Sequence, residues 1–479
     1  MVFSSIEFLT FFAVVFVALC FLESKPIVKK FTEPRIRKIK HIFLLIASYV
    51  FYGWWDWRFC FLMLLLTFIA YISAKKVSEE QHANFFKFLG VAFPLVILGF
   101  FKYFNFFLES FSLAFGIENL GTLNIILPVG ISFYTFQSMS YTIDVIRKDI
   151  KSENFLKVAL YVAFFPQLVA GPVVKASEFI PQLDEGRRIT KENVIKGVQI
   201  FVFGLFKKVV FADHLSVFVD DVFSKPEAFH SFSVILAVIS YSIQIYFDFS
   251  GYSDMAVGCA KCIGYDFSRN FNMPYISKNP SEFWKRWHIS LSTWLQQYLY
   301  ISLGGNRKGA ARTYVNLLIT MVLGGLWHGA SWNFVLWGTF HGLLLCVHKI
   351  FRKIRKNKQG NAFSNMLSII GTYIMVCLGW VLFRAEDFST AFAVYKQMFI
   401  WDKGILQIYS WAIVSIVVVF VATLIAVISA KKKNENIISG FYPMLNPQKM
   451  SHQVIFITAL GLLIVLAYTG NNPFIYFQF

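Results

Sequence analysis

The segment YSWAIVSIVVVFVATLIAVISA, at Tyr409–Ala430, contains no charged residue. A helix needs about 20 apolar residues to cross the hydrocarbon core of a bilayer, so this segment is long enough to span it. The chain is therefore predicted to be an all-α, polytopic membrane protein with about a dozen transmembrane helices, plus re-entrant and interfacial helices. The other predicted spans are Ile6–Leu22, His41–Trp55, Cys60–Ser73, Phe85–Phe107, Leu123–Val145, Val194–Phe218, Phe232–Ala256, Arg312–Trp327, Ser331–Ile350, Phe363–Leu382 and Val454–Tyr468.

The composition supports the same class of protein. Of the 479 residues, 57% are hydrophobic and only 15% are charged, with a mean hydropathy of +0.57. Because soluble domains carry about 25% charged residues, a soluble protein is excluded. Residues 1–479 are expected to form a single integral-membrane domain. No basic leader or small-residue cleavage site accompanies the first apolar segment, which we interpret as a retained span and not as a signal peptide.

The charge distribution predicts the topology. The chain has 45 Lys and Arg against 27 Asp and Glu, a formal net charge of +18. The cations cluster in short connections between spans, the pattern of cytoplasmic loops, and no nucleic-acid-binding motif accompanies them. With these connections inside, both termini are predicted to be extracytoplasmic. The basic connections are Lys25–Lys40, Lys349–Lys358 and Lys431–Lys433.

Two segments are apolar but are not simple spans. Phe155–Val174 is interrupted by Pro166 and by Gly171-Pro172, which predicts a re-entrant or broken helix beside a cavity, with a surface loop as the alternative. Asn279–Tyr300 has tryptophans at helical spacing and flanking cations, which favours an amphipathic helix in the membrane interface. Its start carries a capping signal, with Asn279 as the cap and Pro280 in the first turn.

Ionisable residues near spans point to functional sites, and the informative ones lie between Asp248 and His341. His328 follows an apolar run and is bracketed by glycines, so a ligand can approach its ring. A neutral imidazole there can remove a proton from a hydroxyl; the alternative is a packed, hydrogen-bonded histidine. For His288 the alternative to a functional role is a histidine on an interfacial helix. His341, in the middle of a span, is interpreted as structural, hydrogen-bonded between helices.

Acidic residues and cysteines complete the candidates. Asp248 and Asp254 can orient a histidine or line a path for an acceptor, with helix capping and inter-helix hydrogen bonding as the alternative. Cys259 and Cys262 form a C-x-x-C pair, but no second Cys or His pair with zinc-type spacing lies near it. We therefore expect no metal.

Seven strings, in order along the chain, carry a resemblance to a known family. In them the chain resembles the membrane-bound O-acyltransferase superfamily, and within it the bacterial alginate O-acetylation branch, with peptidoglycan- and teichoic-acid-acylating proteins nearby. The strings are ILPVGISFYTFQSMSYTIDV (Ile126–Val145), FFPQLVAGP (Phe164–Pro172), YFDFSGYSDMA (Tyr246–Ala256), FNMPYISKNPSEFWKRWHISLSTWL (Phe271–Leu295), LGGNRKG (Leu303–Gly309), GLWHGASWNFVLWG (Gly325–Gly338) and NPFIYFQF (Asn472–Phe479).

The resemblance implies an enzyme of the bacterial inner membrane that transfers an acyl group, by default acetyl, from a cytoplasmic donor to hydroxyls of an extracellular or cell-wall polysaccharide. It implies acetyl-CoA or an acyl-carrier thioester as donor, no bound cofactor, and a secreted or membrane-anchored acyltransferase as partner. The superfamily's essential histidine maps onto His328 and its second signature position onto His288. The active-site segment is expected at residues 240–345. Residues expected in a donor or acceptor pocket are Asp248, Tyr252, Asp254, Asn306 and Trp327.

Two other classes of protein remain open at this point. A transporter or flippase for a lipid-linked or acylated glycan would also have many spans and intramembrane polar groups, although no internal repeat of the kind found in transporters is visible. A scaffold for other wall enzymes is the second. Neither class requires the paired His288 and His328 strings.

Overall fold

The computed structural model describes residues 1–117, 121–169, 171–354, 361–401, 404–432, 445–470 and 474–475. Within these ranges the regular structure is helical, apart from one isolated bridge between Phe229 and Ile405. Several sequence predictions concern residues outside the described ranges. These are the cations Arg355, Lys356, Lys358 and Lys433 and most of the closing string Asn472–Phe479, of which Phe474 and Ile475 are described.

The α-helices are numbered in chain order. The first eleven are α1 (Ile6–Leu22), α2 (Lys25–Lys30), α3 (Glu33–Asp56), α4 (Arg58–Ser78), α5 (Ala83–Leu98), α6 (Phe104–Phe115), α7 (Ile131–Ile146), α8 (Phe155–Ala163), α9 (Phe165–Leu168), α10 (Ala176–Asp184) and α11 (Lys191–Phe206). The others are α12 (Asp213–Ser224), α13 (Ser231–Cys262), α14 (Pro280–Trp284), α15 (Ile289–Trp294), α16 (Ala310–His328), α17 (Trp332–Ile354), α18 (Ala362–Arg384), α19 (Phe388–Ile400), α20 (Ser410–Lys432) and α21 (Met450–Leu466). Gly99–Tyr103, Lys207–Ala212 and Leu295–Tyr300 are π-helical, and Pro226–Ala228 and Pro274–Ile276 form 3₁₀ turns.

The prediction of an all-α membrane fold is confirmed. Among the described residues, five helices are long and apolar enough to cross a membrane, and three shorter apolar helices accompany them. The count of about a dozen spans stays a prediction. The five long helices are Arg58–Ser78, Ala83–Phe115, Ser231–Cys262, Trp332–Ile354 and Ala362–Arg384; the shorter ones are Ile6–Leu22, Ser410–Ile425 and Met450–Leu466.

The predicted span Leu123–Val145 is wrong at its start, because the helix there begins only at Ile131. Gly130 precedes it in the left-handed region, with φ +75°, and a Cβ at this position would lie 2.9 Å from the carbonyl oxygen of Leu168. A residue with a side chain is strained in this conformation and has no room here. The turn at Gly130 therefore shortens α7, whose residues are almost all buried.

The predicted break in Phe155–Val174 is confirmed. Helix α8 ends at Ala163, Phe164 leaves the helical region with ψ 111°, and α9 follows for a single turn. Polar groups inside the break have protein partners: the Tyr161 hydroxyl donates to the Val174 carbonyl at 3.0 Å, and Gln167 Nε2 donates to the Tyr161 carbonyl at 2.6 Å. Irregular backbone at membrane depth is tolerated when it is satisfied in this way.

The prediction of one amphipathic helix over Asn279–Tyr300 is wrong. The segment consists of α14, a turn, α15 and a π-helical end, and His288 at the break has a left-handed backbone with φ +41°. The capping signal is confirmed, because the Asn279 side chain accepts from the Glu282 N–H at 2.9 Å. Trp287 and His288 are buried, so this face packs against protein and does not lie in the membrane interface.

The chain divides into two compact units, which are described separately. One comprises Met1–Phe201 and Ser253–Ser268, and the other comprises Val202–Tyr252 and Arg269–Phe479. The single-domain assignment stays a prediction. In the second unit α16 and α17 form an antiparallel hairpin with very close backbones: a Cβ on Gly325 would overlap the Phe334 carbonyl, and one on Gly338 would overlap the Met321 carbonyl. Small residues permit such close helix packing in membranes.

Candidate active site

His328 is the last residue of α16, at the point where the hairpin with α17 closes. The following residue, Gly329, is extended, with φ −160°, and ends the helix. The His328 side chain is buried. The close packing that Gly325 and Gly338 allow therefore fixes where this imidazole lies.

Aromatic rings surround His328. The ring centroids of Trp327, Trp337 and Phe383 lie 5.0, 5.2 and 5.2 Å from that of the imidazole. Each contact is edge-to-face, the arrangement that aromatic pairs prefer. These rings limit the rotation of His328 and reduce the space for water around it.

His288 lies beside His328, with ring centroids 6.4 Å apart. The two sequence-predicted histidines, separated by 40 positions in the chain, are therefore brought into one site. His288 is buried at the start of α15, and its ring contacts Phe249 edge-on at 4.6 Å. Burial lowers the pKa of His288 to about 3, so its imidazole is neutral near neutral pH.

Asn270 holds His288 on the Nδ1 side. Its Oδ1 lies 3.2 Å from His288 Nδ1, and its backbone carbonyl accepts from the Ile289 N–H at 2.8 Å. Two residues on, the Asn272 N–H donates to the Arg286 carbonyl at 2.9 Å. The segment 270–272 is thus fastened along 286–289, which keeps His288 in its left-handed conformation.

A cavity of about 950 Å³ reaches His328 along the hairpin. One face of α16 lines it from Ala310 to His328, at helical spacing. At a rise of 1.5 Å per residue this face is about 27 Å long. The end near His328 is lined by Trp284, Met321 and Trp337. His288 and Trp327, although they lie beside His328, do not line the cavity.

The opposite end of the cavity is basic. Arg352 and Lys353 line it and are exposed to solvent, and Lys349 is half-buried beside them. Lys285, which follows Trp284 in the chain, also lines the cavity. None of the residues that line the cavity, all of which are described, is acidic. Asn306 also lies here, where its Oδ1 accepts from the Tyr300 hydroxyl at 2.6 Å and from Lys349 Nζ at 2.9 Å. The cavity therefore joins a cationic, solvent-facing end to a buried imidazole.

Asp248 and Tyr252 occupy a different place in the same unit. Asp248 Oδ1 pairs with Lys208 Nζ at 2.6 Å, and its Oδ2 accepts from the Ile475 N–H at 2.8 Å. The Tyr252 ring stacks on Phe474 at 4.3 Å. Both residues hold the segment Phe474–Ile475, and in the described chain neither lines the cavity. Their assignment to a donor or acceptor pocket stays a prediction.

The other predicted residues are placed as follows. Trp327 contacts both imidazoles, at 5.9 Å from His288 and 5.0 Å from His328. Asp254 is buried and belongs to the first unit. His341 is packed between Trp284 and Trp337, in accordance with a structural role. In the described chain, no group of three or more His, Cys, Asp or Glu side chains is placed to hold a metal ion.

Two residues that contact the predicted site residues were not identified from the sequence: Asn270, which contacts His288, and Lys208, which pairs with Asp248. Asn270 lies one residue before the string that begins at Phe271, and a single asparagine in a polar loop gives no signal of its own. Lys208 could have been found from the sequence, because it is a charged residue inside the predicted span Val194–Phe218. It is buried between Asp213, at 2.7 Å, and Asp248.

The fold and the site together define an integral membrane protein in which one buried histidine, His328, lies at the end of a partly basic cavity and a second, His288, lies beside it. Residues 42–386 match the model of the MBOAT, membrane-bound O-acyltransferase, family. The chain is 41% identical over 409 residues to the probable alginate O-acetylase AlgI of Pseudomonas aeruginosa, covering 83% of this chain and 75% of that protein. It is 37% identical over 387 residues to the peptidoglycan O-acetyltransferase of Helicobacter pylori, with 74% and 73% covered.

A more distant similarity extends to the teichoic acid D-alanyltransferase of Bacillus subtilis, with 28% identity over 282 residues, 55% of this chain and 70% of that protein. The chain belongs to the membrane-bound O-acyltransferase family. It is a multi-pass membrane protein and an O-acyltransferase, and the resemblance seen in its seven strings is confirmed.

Proposed function

We propose that this protein transfers an acetyl group from a cytoplasmic thioester donor to hydroxyls of an extracytoplasmic polysaccharide, with His328 as the general base. The observation that carries the proposal is the position of His328 at the closed end of a cavity whose other end is cationic. The names of the relatives, which describe acylation of alginate, peptidoglycan and teichoic acid, support a polysaccharide acceptor.

The chemical step requires His328 in its neutral form. His328 removes the proton from an acceptor hydroxyl while the oxygen attacks the thioester carbonyl carbon. The tetrahedral intermediate then collapses with cleavage of the C–S bond, and the thiolate receives the proton that His328 carries. An ester and a free thiol are the products, so His328 ends each cycle neutral. The aromatic rings around it exclude water that would otherwise hydrolyse the thioester.

The cavity supports a long, phosphate-bearing donor such as acetyl-CoA or an acyl-carrier thioester. Its lining face of about 27 Å suits a slender arm, and the cations Lys349, Arg352 and Lys353 suit phosphate. These residues belong to the connection predicted to be cytoplasmic. A donor whose phosphate stays at this end presents its thioester towards His328.

The acceptor polymer lies on the other side of the membrane in this proposal, and both termini of the chain face that side. A secreted or membrane-anchored acyltransferase receives the acyl group or positions the polymer. In a variant route the acyl group is carried covalently on a protein side chain before it reaches the polymer. Acylation of purified polymer by this chain alone, without any partner, would contradict the need for a partner but not the role of His328.

The test is transfer of a radiolabelled acetyl group from the cytoplasmic donor to surface polymer in membrane vesicles. His328→Ala should reduce transfer by about 10²–10⁴-fold, the usual contribution of a general base. His82→Ala, which changes an exposed histidine, is the matched control and should leave transfer unchanged. Undiminished transfer with His328→Ala would refute the catalytic assignment. Movement of intact glycan across the membrane without any transfer of label would instead support the transporter alternative.

A further inference from the structure

The side chain of Asn270 makes several contacts with the residues that follow His288. Its Oδ1 accepts from the Ser290 backbone N–H at 3.2 Å and from the Ser290 hydroxyl at 2.8 Å, and it lies 3.2 Å from His288 Nδ1. His288 and Asn270 are both buried, at 1% and 2% exposure. A buried amide in such a cluster constrains the protons of its neighbours.

The Ser290 backbone N–H fixes the orientation of this amide. A backbone N–H is only a donor, so the Asn270 atom that faces it must be the carbonyl oxygen and not the NH₂ group. The same oxygen faces His288 Nδ1. Since a carbonyl oxygen only accepts, the contact is a hydrogen bond only if Nδ1 carries the proton.

A second contact of His288 Nδ1 requires this nitrogen to be unprotonated. The Leu291 backbone N–H points at the same Nδ1 over 3.4 Å, and it is satisfied only if Nδ1 is unprotonated. The two contacts exclude each other. N–H hydrogen bonds in proteins are usually 2.7–3.2 Å long, so the contact with Asn270, at 3.2 Å, falls within this range and that with Leu291 falls outside it.

We infer that Asn270 is a positioning residue that holds His288 in the Nδ1–H tautomer, so that Nε2 carries a lone pair and accepts a hydrogen bond in the site. In the described chain Nε2 is buried without a hydrogen-bond partner. A buried ring nitrogen of this kind is satisfied by an N–H or O–H group that arrives with a ligand.

The functional consequence of this tautomer rests on the proposed function. His288 has two possible roles in acyl transfer: it can donate a hydrogen bond to the developing oxyanion, or it can accept one from a substrate and orient it. With Nε2 unprotonated, the neutral ring cannot donate to an oxyanion. It orients a substrate by accepting from a donor group, such as the hydroxyl of the acceptor or an amide N–H in the arm of the thioester donor. His328 remains the base, and His288 fixes the approach of its reaction partner.

The tautomer can be measured directly. Full-length protein labelled with ¹⁵N-histidine and reconstituted in lipid bilayers gives separate nitrogen signals for protonated and unprotonated ring nitrogens, and His288→Gln assigns those of His288 by difference. The wild type should show His288 with the proton on Nδ1. In Asn270→Ala only the Leu291 N–H remains at Nδ1, so the proton should move to Nε2. Acyl transfer should fall by about 10-fold or more, as expected for a wrong tautomer.

Two further variants make the test specific. Asn270→Asp keeps an acceptor oxygen and should keep the proton on Nδ1. Ser290→Ala removes the hydroxyl that shares Oδ1 but not the contact with His288, and should also keep it there. A wild type with the proton on Nε2, or an Asn270→Ala protein that retains it on Nδ1, would overturn the inference. If His328→Ala left acyl transfer intact, the proposed function would fail while the tautomer result stood.

Discussion

Replacement of Gly325 by alanine tests whether the contact between α16 and α17 sets the position of His328. A methyl group on Gly325 would overlap the Phe334 carbonyl and crowd the Gly338 N–H, at 3.2 Å. Both are backbone atoms, so no side-chain rotation relieves the clash. The built Cβ would lie 2.1 Å from the Phe334 carbonyl oxygen. Because non-bonded atoms need about 3.5 Å between centres, the two helices must separate by roughly 1.4 Å at this level.

The expected cost has two parts. Overpacking of this kind destabilises a protein by about 1–3 kcal/mol. His328 lies three residues further along α16, and a displacement of about 1 Å at a reacting group can reduce the rate about 10²-fold. Gly325→Ala should therefore lower both the unfolding temperature and the acyl-transfer rate, with the loss of rate exceeding the loss of folded protein.

Gly371→Ala is the matched control. Gly371 lies within α18, and nothing stands within 4 Å of a Cβ built on it. The same substitution there should be neutral or stabilise the helix by up to about 1 kcal/mol. Thermal unfolding in detergent, followed by intrinsic fluorescence, and transfer of labelled acetyl in proteoliposomes provide the two readouts. If Gly325→Ala matched Gly371→Ala in both, the hairpin contact would not fix the position of His328.

Two further predictions concern charge. Lys353→Gln should raise the KM for the thioester donor by about 1.5–5-fold, less at high salt and without a change in kcat, because an exposed ion pair contributes about 0.2–1 kcal/mol. Lys29 is an exposed cation outside the cavity lining, so Lys29→Gln is the control and should have no effect. Equal effects of the two substitutions would contradict a donor site at the basic end. Lys208→Met removes the cation that pairs with both Asp213 and Asp248 and should destabilise the protein by about 3–5 kcal/mol. Asp248→Asn should cost about 1–3 kcal/mol, because the pair between Lys208 and Asp213 remains and the amide oxygen still accepts from the Ile475 N–H. The reverse order of the two variants in thermal unfolding would contradict the pairing.

The sequence predicted the helices best where apolar runs end at polar residues. The bounds of α1 agree with the prediction at both ends, and α18 differs from its predicted span by one residue at the start and two at the end. The error at Leu123–Val145 has a local cause: residues 123–127 are apolar apart from Asn124, but Pro128 and Gly130 follow them, and the helix begins only after this turn. Helix α19 was not predicted, since polar residues interrupt its apolar pattern. Hydropathy therefore locates apolar segments, while turn residues decide where helices begin.

The site was predictable only in part. The residue pattern made His288 and His328 candidates, the resemblance implied their roles, and the structure places the two rings together. Sequence periodicity assigned His288 to a continuous helix, which failed because a left-handed residue at this point is stabilised by Asn270 from outside the helix. Contacts between residues distant in sequence leave no periodic signal. For the same reason Asn270 and the hairpin contact at Gly325 appear only in three dimensions.

The arrangement of charge and aromatic rings along the cavity also accounts for the direction in which a donor would enter. The cations Lys349, Arg352 and Lys353 lie at one end, where they would attract a phosphate, while the rings of Trp284 and Trp337 line the other end. A phosphate would lose its hydration without compensation among these rings, whereas a neutral thioester would not. Reversal of the gradient, by Trp337→Arg, should therefore trap the donor in a non-productive position, with tighter binding of the donor and a loss of turnover; weaker binding with this variant would contradict the argument.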